Sequence, residues 1–257
     1  MVNIKNTIYI KQYQNVKIIY KENKLIMLPL LILCGGLATR LYPTTKTIPK
    51  SLIMIGDTPF ISYQLDLLYR RGIRDVVLCV GKFGSMIEDY VGDGSFWGLR
   101  VKYSYEDENS LLGTGGAIKN AEDILPRKFM IMYGDSYLDV NYKNIVKTYY
   151  KKKKPMLITI FRNKNIGDKS NIYYKNGKIL VYDKFYPSPS MKYIDYGLLV
   201  VDKDIFKGYP EKFDLSVLMS HYVNREKVSS YLTNIPFYEI GSKEGIEKFF
   251  KYQKFKY

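Results

Sequence analysis

Gly35 and Gly36 stand directly behind the apolar run Leu30-Leu31-Ile32-Leu33-Cys34, and Thr39, Arg40 and Lys50 follow within fifteen residues. That combination suits an anion. Paired glycines let the backbone turn sharply and bring its N–H groups against phosphate oxygens, while a hydroxyl, a guanidinium fork and an ammonium add donors and charge. Glycines behind a strand are often no more than a turn. Arg40, and Lys50 between Pro49 and Ser51, favour a phosphate-binding loop. Asp135, in Gly134-Asp135-Ser136 behind the apolar stretch 128–133, is the matching candidate for a cation. Ligands of open α/β sheets sit outside the carboxyl ends of the strands, and the alternative for such an aspartate is a helix cap. His221 is the only histidine and reads as packing on a helix, which leaves no basis for a catalytic triad or a histidine metal site.

These residues need strands to deliver them. The stretches 30–33, 75–80 and 128–133 are short and almost wholly apolar, as buried parallel strands are. Residues 53–55, 99–105, 156–162, 193–202 and 228–232 read as further strands. Residues 59–71, 214–222 and 243–250 read as helices, the first stopped by Gly72, and Asn176-Gly177 reads as the turn of a hairpin over 173–184. The resulting expectation is a doubly wound, mostly parallel α/β sheet flanked by helices, with an inserted hairpin forming one side of a cleft.

The 257 residues, 46% hydrophobic and 25% charged, suit one globular unit over 27–257. Residues 1–26 form a polar, lysine-rich N-terminal extension, read as a tail or an added strand pair, with Met27 as an alternative start. A formal net charge of +15 favours polyanionic partners. Nucleic acid is not expected, because the only dense basic run, 151–154, reads as a solvated helix end favoured by the helix dipole. Leu33-Cys34-Gly35 hints at a lipoprotein cleavage site, yet the apolar run is short, broken by Pro29 and continuous with the loop, so no membrane association is expected. Cys34 and Cys79 read as separate core thiols in a reducing cytoplasm.

Gly35-Gly36-Leu37-Ala38-Thr39-Arg40-Leu41-Tyr42-Pro43-Thr44-Thr45 with Pro49-Lys50-Ser51 resembles the signature of the sugar-1-phosphate nucleotidyltransferases, G-G-x-G-T-R-L-x-P-L-T and P-K-P. Ala38, Thr44 and Ser51 depart from it, and Ala38 is costly if its φ is positive. Gly113-Thr114-Gly115-Gly116-Ala117 resembles the family's G-T-G/A-G-A, and Tyr238-Glu239-Ile240-Gly241-Ser242 its closing W-x-D-I-G-T. Among subfamilies, the letters around Gly35 and Gly113 look most like heptose-1-phosphate guanylyltransferases of bacterial surface-polysaccharide pathways.

The resemblance implies a Rossmann-like fold and Mg²⁺-dependent transfer, in which a sugar 1-phosphate attacks the α-phosphorus of an NTP, GTP favoured, and pyrophosphate leaves. It implies catalytic roles for Arg40, Lys50 and Asp135. Nucleotide contacts are implied at Leu33, Gly35, Gly36, Thr39, Gly81, Gly113, Thr114 and Gly115. Sugar-phosphate contacts are implied at Gly134, Asp183, Lys184, Asp195 and Gly197, and a metal pair at Asp135 and Asp202. Asp195 competes for the second metal position, since it alternates with Gly197 on one face. Asp183 stands where relatives carry glutamate. The resemblance leaves homo-oligomerisation, a different phosphorylated acceptor and an inactive nucleotide-sugar-binding regulator open.

Overall fold

The computed structural model describes residues 27–36, 38–163 and 169–256, so the extension 1–26 lies outside it. Thirteen strands occur among those residues. They are β1 (Leu30–Leu33), β2 (Met54–Ile55), β3 (Thr58–Pro59), β4 (Asp75–Val80), β5 (Arg100–Tyr105), β6 (Lys128–Tyr133), β7 (Ser136–Tyr137), β8 (Met156–Arg162), β9 (Ile172–Lys175), β10 (Lys178–Tyr182), β11 (Tyr193–Asp202), β12 (Val228–Thr233) and β13 (Tyr238–Glu239). The helices are α1 (Phe60–Arg70), α2 (Gly84–Val91), α3 (Gly113–Asn120), α4 (Tyr142–Lys152), α5 (Leu215–Asn224) and α6 (Lys243–Lys256).

β1 is central because it has no polar residue to present to water, and it lies parallel between β4 and β6. β5 continues the parallel set beyond β4. On the other side β11 runs antiparallel to β6, β8 antiparallel to β11, and β12 parallel to β8. Hence β5, β4, β1, β6, β8 and β12 all point one way, and β11 alone among them is reversed. The β9–β10 hairpin turns at Asn176-Gly177, both with positive φ (51° and 78°), and joins the sheet through Tyr193 of β11 opposite Ile172.

Alternation along β1 feeds two cores. Leu30 and Ile32 pack with Ile61, Leu65 and Leu68 of α1 and Ile145 and Val146 of α4, whereas Leu31 packs with Ala117 and Ile118 of α3 and Leu218 and Met219 of α5. Cys34 belongs to the first side and Cys79 to the second, so both thiols are free and the sheet separates their side chains. A third cluster, around Phe60, Tyr137, Ile240 and Phe249, packs α6 under the loop that follows β1. It also carries α6 past the expected end at 250, because the Phe249 ring meets Tyr137 at a tilt, 4.9 Å away, and Tyr252 stacks on Tyr238 at 4.2 Å.

Candidate active site

A cleft of about 960 Å³ opens at the carboxyl ends of β1 and β6. Leu33, Cys34, Gly35, Gly36, Ala38 and Arg40 line one side with Glu106, Gly113 and Thr114. Tyr133, Lys184, Phe185, Asp195 and Gly197 line the other, and Lys50, Gly134, Asp135 and Glu239 lie between.

The centre is the contact between Lys50 Nζ and Asp135 Oδ2, 2.8 Å long and half-buried. Its geometry is fixed from below. Gly134 donates its N–H to Leu33 O at 3.1 Å, and any Cβ there would collide with that carbonyl. The buried Gln64 amide donates to Gly134 O (3.3 Å) and Ser136 O (2.9 Å), which holds the aspartate turn against α1. Gly36 meets nothing within 4 Å in the direction of a side chain, so its backbone is open to a ligand. Gly35 packs over Glu106, whose Oε1 lies 3.1 Å from where a Cβ would stand.

Ala38 takes the left-handed conformation, φ 50° and ψ 41°, that the signature's glycine would accept freely. An L-residue there costs roughly 1–2 kcal/mol, against about 0.5–1 kcal/mol for the extra freedom glycine loses on folding. Ala38→Gly is therefore expected to stabilise the fold by up to about 1 kcal/mol and raise Tm by about 2–4 °C. A thermal melt showing a lower Tm would count against strain at this position.

Among the described residues no group of three or more His, Cys, Asp or Glu converges on one point. The carboxylates at the centre are Asp135 and Glu239. β13 pairs with β7, placing Glu239 opposite Ser136, and the Ile240 N–H donates to Asp135 O at 3.0 Å. A Cβ on Gly241 would stand 2.6 Å from Glu239 Oε2, 3.3 Å from Lys50 Nζ and 3.5 Å from Arg40 Nη2, so acid and cations crowd one spot. Glu239 is held locally by the Gly241 N–H and the Ser242 hydroxyl. Two hard oxygen donors beside the glycine turn fit a small divalent cation.

Asp202 lies outside this centre. It pairs with Lys128 at the start of β6, whereas Asp135 follows the end of that strand, which separates them by about 17 Å at roughly 3.3 Å per residue. The expectation of a shared metal fails because β11 is antiparallel: five residues beyond Gly197 lead away from the cleft. Asp202 instead pairs with Arg127 (3.1 Å) and caps the turn Lys203–Phe206 by accepting the Asp204 N–H.

Asp195 does face the cleft. Gly197, with φ +86°, sits where β11 bulges against β8, and the bulge turns this segment toward the opening. Burial pushes the Asp195 carboxyl above its ordinary range, opposed by the Gly197 N–H (3.0 Å), the Tyr133 hydroxyl (2.9 Å) and the charge of Lys184. Lys184 also reaches Asp214 at 3.4 Å. Glu106 is pushed upward by burial and pulled back by the Leu112 N–H at 3.0 Å. Burial, with Asp135 nearby, raises the Cys34 thiol to about 12, so it is protonated and no nucleophile at neutral pH.

Four further expected contacts fall outside the lining. Thr39 is exposed in the turn Thr39–Leu41. Gly81 packs against the glycine turn instead, since a Cβ there would stand 3.0 Å from Gly35 O. Gly115 faces the Phe213 ring, which a side chain would strike, and the Thr114 hydroxyl accepts the Leu215 N–H at 2.8 Å, so the small residues here chiefly let α5 dock on α3. Asp183 Oδ1 accepts the N–H groups of Phe185 (2.9 Å) and Tyr186 (2.8 Å), which occupies it within its own loop. Conversely Glu106, Tyr133, Gln64 and Glu239 belong to the site without having been singled out; only Glu239 carried a signal, the Tyr-Glu-Ile-Gly-Ser letters.

The chain is 29% identical over 219 residues to the D-glycero-alpha-D-manno-heptose 1-phosphate guanylyltransferase of Campylobacter jejuni, covering 83% of this chain and 95% of that protein. It is 27% identical to the enzyme of the same name from Aneurinibacillus thermoaerophilus, covering 85% of this chain and 95% of that protein. The fold superposes on HddC from Yersinia pseudotuberculosis, solved in complex with GMP-PN, with a TM-score of 0.75 at 24% identity over 88% of this chain and 100% of that one. Residues 30–170, more than half of the chain, match the nucleotidyl transferase family, and the glycine turn, Lys50 and Asp135 all fall within that span: the protein is a member of the nucleotidyl transferase family.

Proposed function

We propose that the protein transfers a nucleotidyl group, guanylyl by preference, from an NTP to a sugar 1-phosphate of the heptose or hexose class, releasing pyrophosphate. The observation that carries this reading is the Lys50–Asp135 contact at the junction of the two halves of the cleft, a cation and an anion on the spot where two phosphates would meet. A sugar-phosphate oxygen attacks the α-phosphorus, the bond to the bridging oxygen of the β-phosphate breaks, and that oxygen leaves with pyrophosphate. Arg40 and the Gly35-Gly36 backbone bind the triphosphate, Lys50 neutralises charge on the α-phosphate, and Lys184 offsets the repulsion between the two substrates. Asp135 and Glu239 would hold a divalent cation, read as Mg²⁺, which would supply charge neutralisation at the phosphate oxygens.

Guanine preference is supported by Glu106, a buried carboxylate on the Gly35 side of the cleft. A carboxylate accepts the N1–H and N2–H groups of guanine together, whereas adenine offers it no such pair. A good bidentate contact to a base is worth roughly 1–3 kcal/mol, so Glu106→Gln is expected to lower the preference for GTP over ATP about 5- to 150-fold. The test is a pyrophosphate-release screen of the four NTPs against heptose, mannose and glucose 1-phosphates. Release with GTP and a sugar 1-phosphate supports the reading, and none with any pair removes it. A place in nucleotide-sugar biosynthesis is supported by the names of the relatives, and use of the product in bacterial surface polysaccharide is what the resemblance implies. A cytoplasmic location is supported by two free cysteines; none of the described helices is long and apolar enough to cross a membrane.

A further inference from the structure

Resting on that reading of the cleft, we propose that Phe185 is the apolar platform of the acceptor subsite and that Asp183 is its positioning residue rather than a sugar ligand. Phe185 is 63% exposed although it lines the cleft, an aromatic ring held at the opening with no core of its own. It is held there by Asp183. A single carboxylate oxygen accepts both the Phe185 and Tyr186 amides, and the Asp183 N–H donates to Asn171 O at 2.9 Å. Asn171 in turn accepts the Asp195 N–H through its side chain at 3.0 Å, so the turn carrying Phe185 is tied to the strand that presents Asp195.

Side-chain length explains the choice of residue. Aspartate and asparagine reach the amides two and three residues ahead, whereas one more methylene carries the carboxylate beyond its own turn. Aspartate at position 183 thus braces the next aromatic where a longer acid could reach out to a ligand. A pyranose has one face of C–H groups and a rim of hydroxyls. The Phe185 ring offers cover for the first, while Asp195 and Asn171, both in the lining, offer acceptors and donors for the second.

Steady-state kinetics with GTP and mannose 1-phosphate, with calorimetric titration of mannose 1-phosphate alone, test this. Phe185→Ala is expected to raise the KM and the Kd for the sugar phosphate roughly three- to tenfold, with kcat within about twofold and the KM for GTP unchanged. Asp183→Ala should match it, and the double variant should be no worse than Phe185→Ala. Asp183→Asn, which keeps the accepting oxygen, should behave as wild type. An Asp183→Asn defect as large as that of Asp183→Ala would show direct contact through charge and overturn the proposal, as would a wild-type Kd in Phe185→Ala. If wild type binds the sugar phosphate with this ranking of variants yet releases no pyrophosphate, the turnover reading fails and the platform stands. No binding of mannose 1-phosphate to wild type overturns the platform.

Discussion

Asp135→Asn is expected to lower kcat about 10³-fold or more while leaving the fold intact, whereas Asp202→Asn should stay within about twofold of wild type. The carboxylate of Asp135 is bound to Lys50 at 2.8 Å, and its main chain is clamped by Gln64 and Ile240, so an isosteric amide keeps the turn and removes only the charge. Without that charge a divalent cation would lose one of the two anions proposed to hold it, and turnover would fall with it. Glu239→Gln should fall in the same class, because its carboxylate lies with Lys50 and Arg40 around Gly241. Asp202 sits at the far end of the sheet in an ion pair with the exposed Arg127, a contact worth at most about 1 kcal/mol. Mg²⁺ titrations of the three variants decide the matter: a raised Mg²⁺ requirement in Asp202→Asn with none in Glu239→Gln would return the second ligand to Asp202.

The contrast between those two acids shows what the letters could carry. The glycine turn, the strand that feeds it, the Asp135 turn and the Asn176-Gly177 hairpin were legible because each is written in consecutive residues. That β1 is covered on both faces was legible in its unbroken apolar run. Direction was not: nothing local to 193–202 says that β11 runs against its neighbour, and that one fact moves Asp202 from the cleft to the opposite end. Glu239 reaches the centre through a pairing of two residues with two, too short to leave a pattern. Gly115 looks like a base contact in isolation, but its partner, Phe213, lies about a hundred residues further on. The positive φ of Ala38 is likewise set by tertiary context, with the Thr45 hydroxyl bonded to Ala38 O at 2.8 Å across the turn.

Lys50→Ala is expected to cut kcat/KM about 10²- to 10³-fold, the effect of removing one preorganised charge from a transition state. The lysine is half-buried at the head of the turn Lys50–Leu52, so its ammonium is delivered by backbone rather than by a mobile loop tip. It also neutralises Asp135 before substrate arrives. Two effects of opposite sign follow from one substitution: turnover falls, while cation binding in the absence of nucleotide tightens, because Asp135 no longer has an ammonium beside it. Lys50→Arg should recover only part of the rate, since a planar guanidinium cannot place a compact charge at the same point. Arg40 is exposed at the rim, and Arg40→Ala is expected to act on the KM for NTP and on pyrophosphate affinity more than on kcat. Calorimetry of Mg²⁺ binding to the apo variants separates the roles: weaker metal binding in Lys50→Ala, together with unchanged turnover, would make Lys50 a structural partner of Asp135 and nothing more.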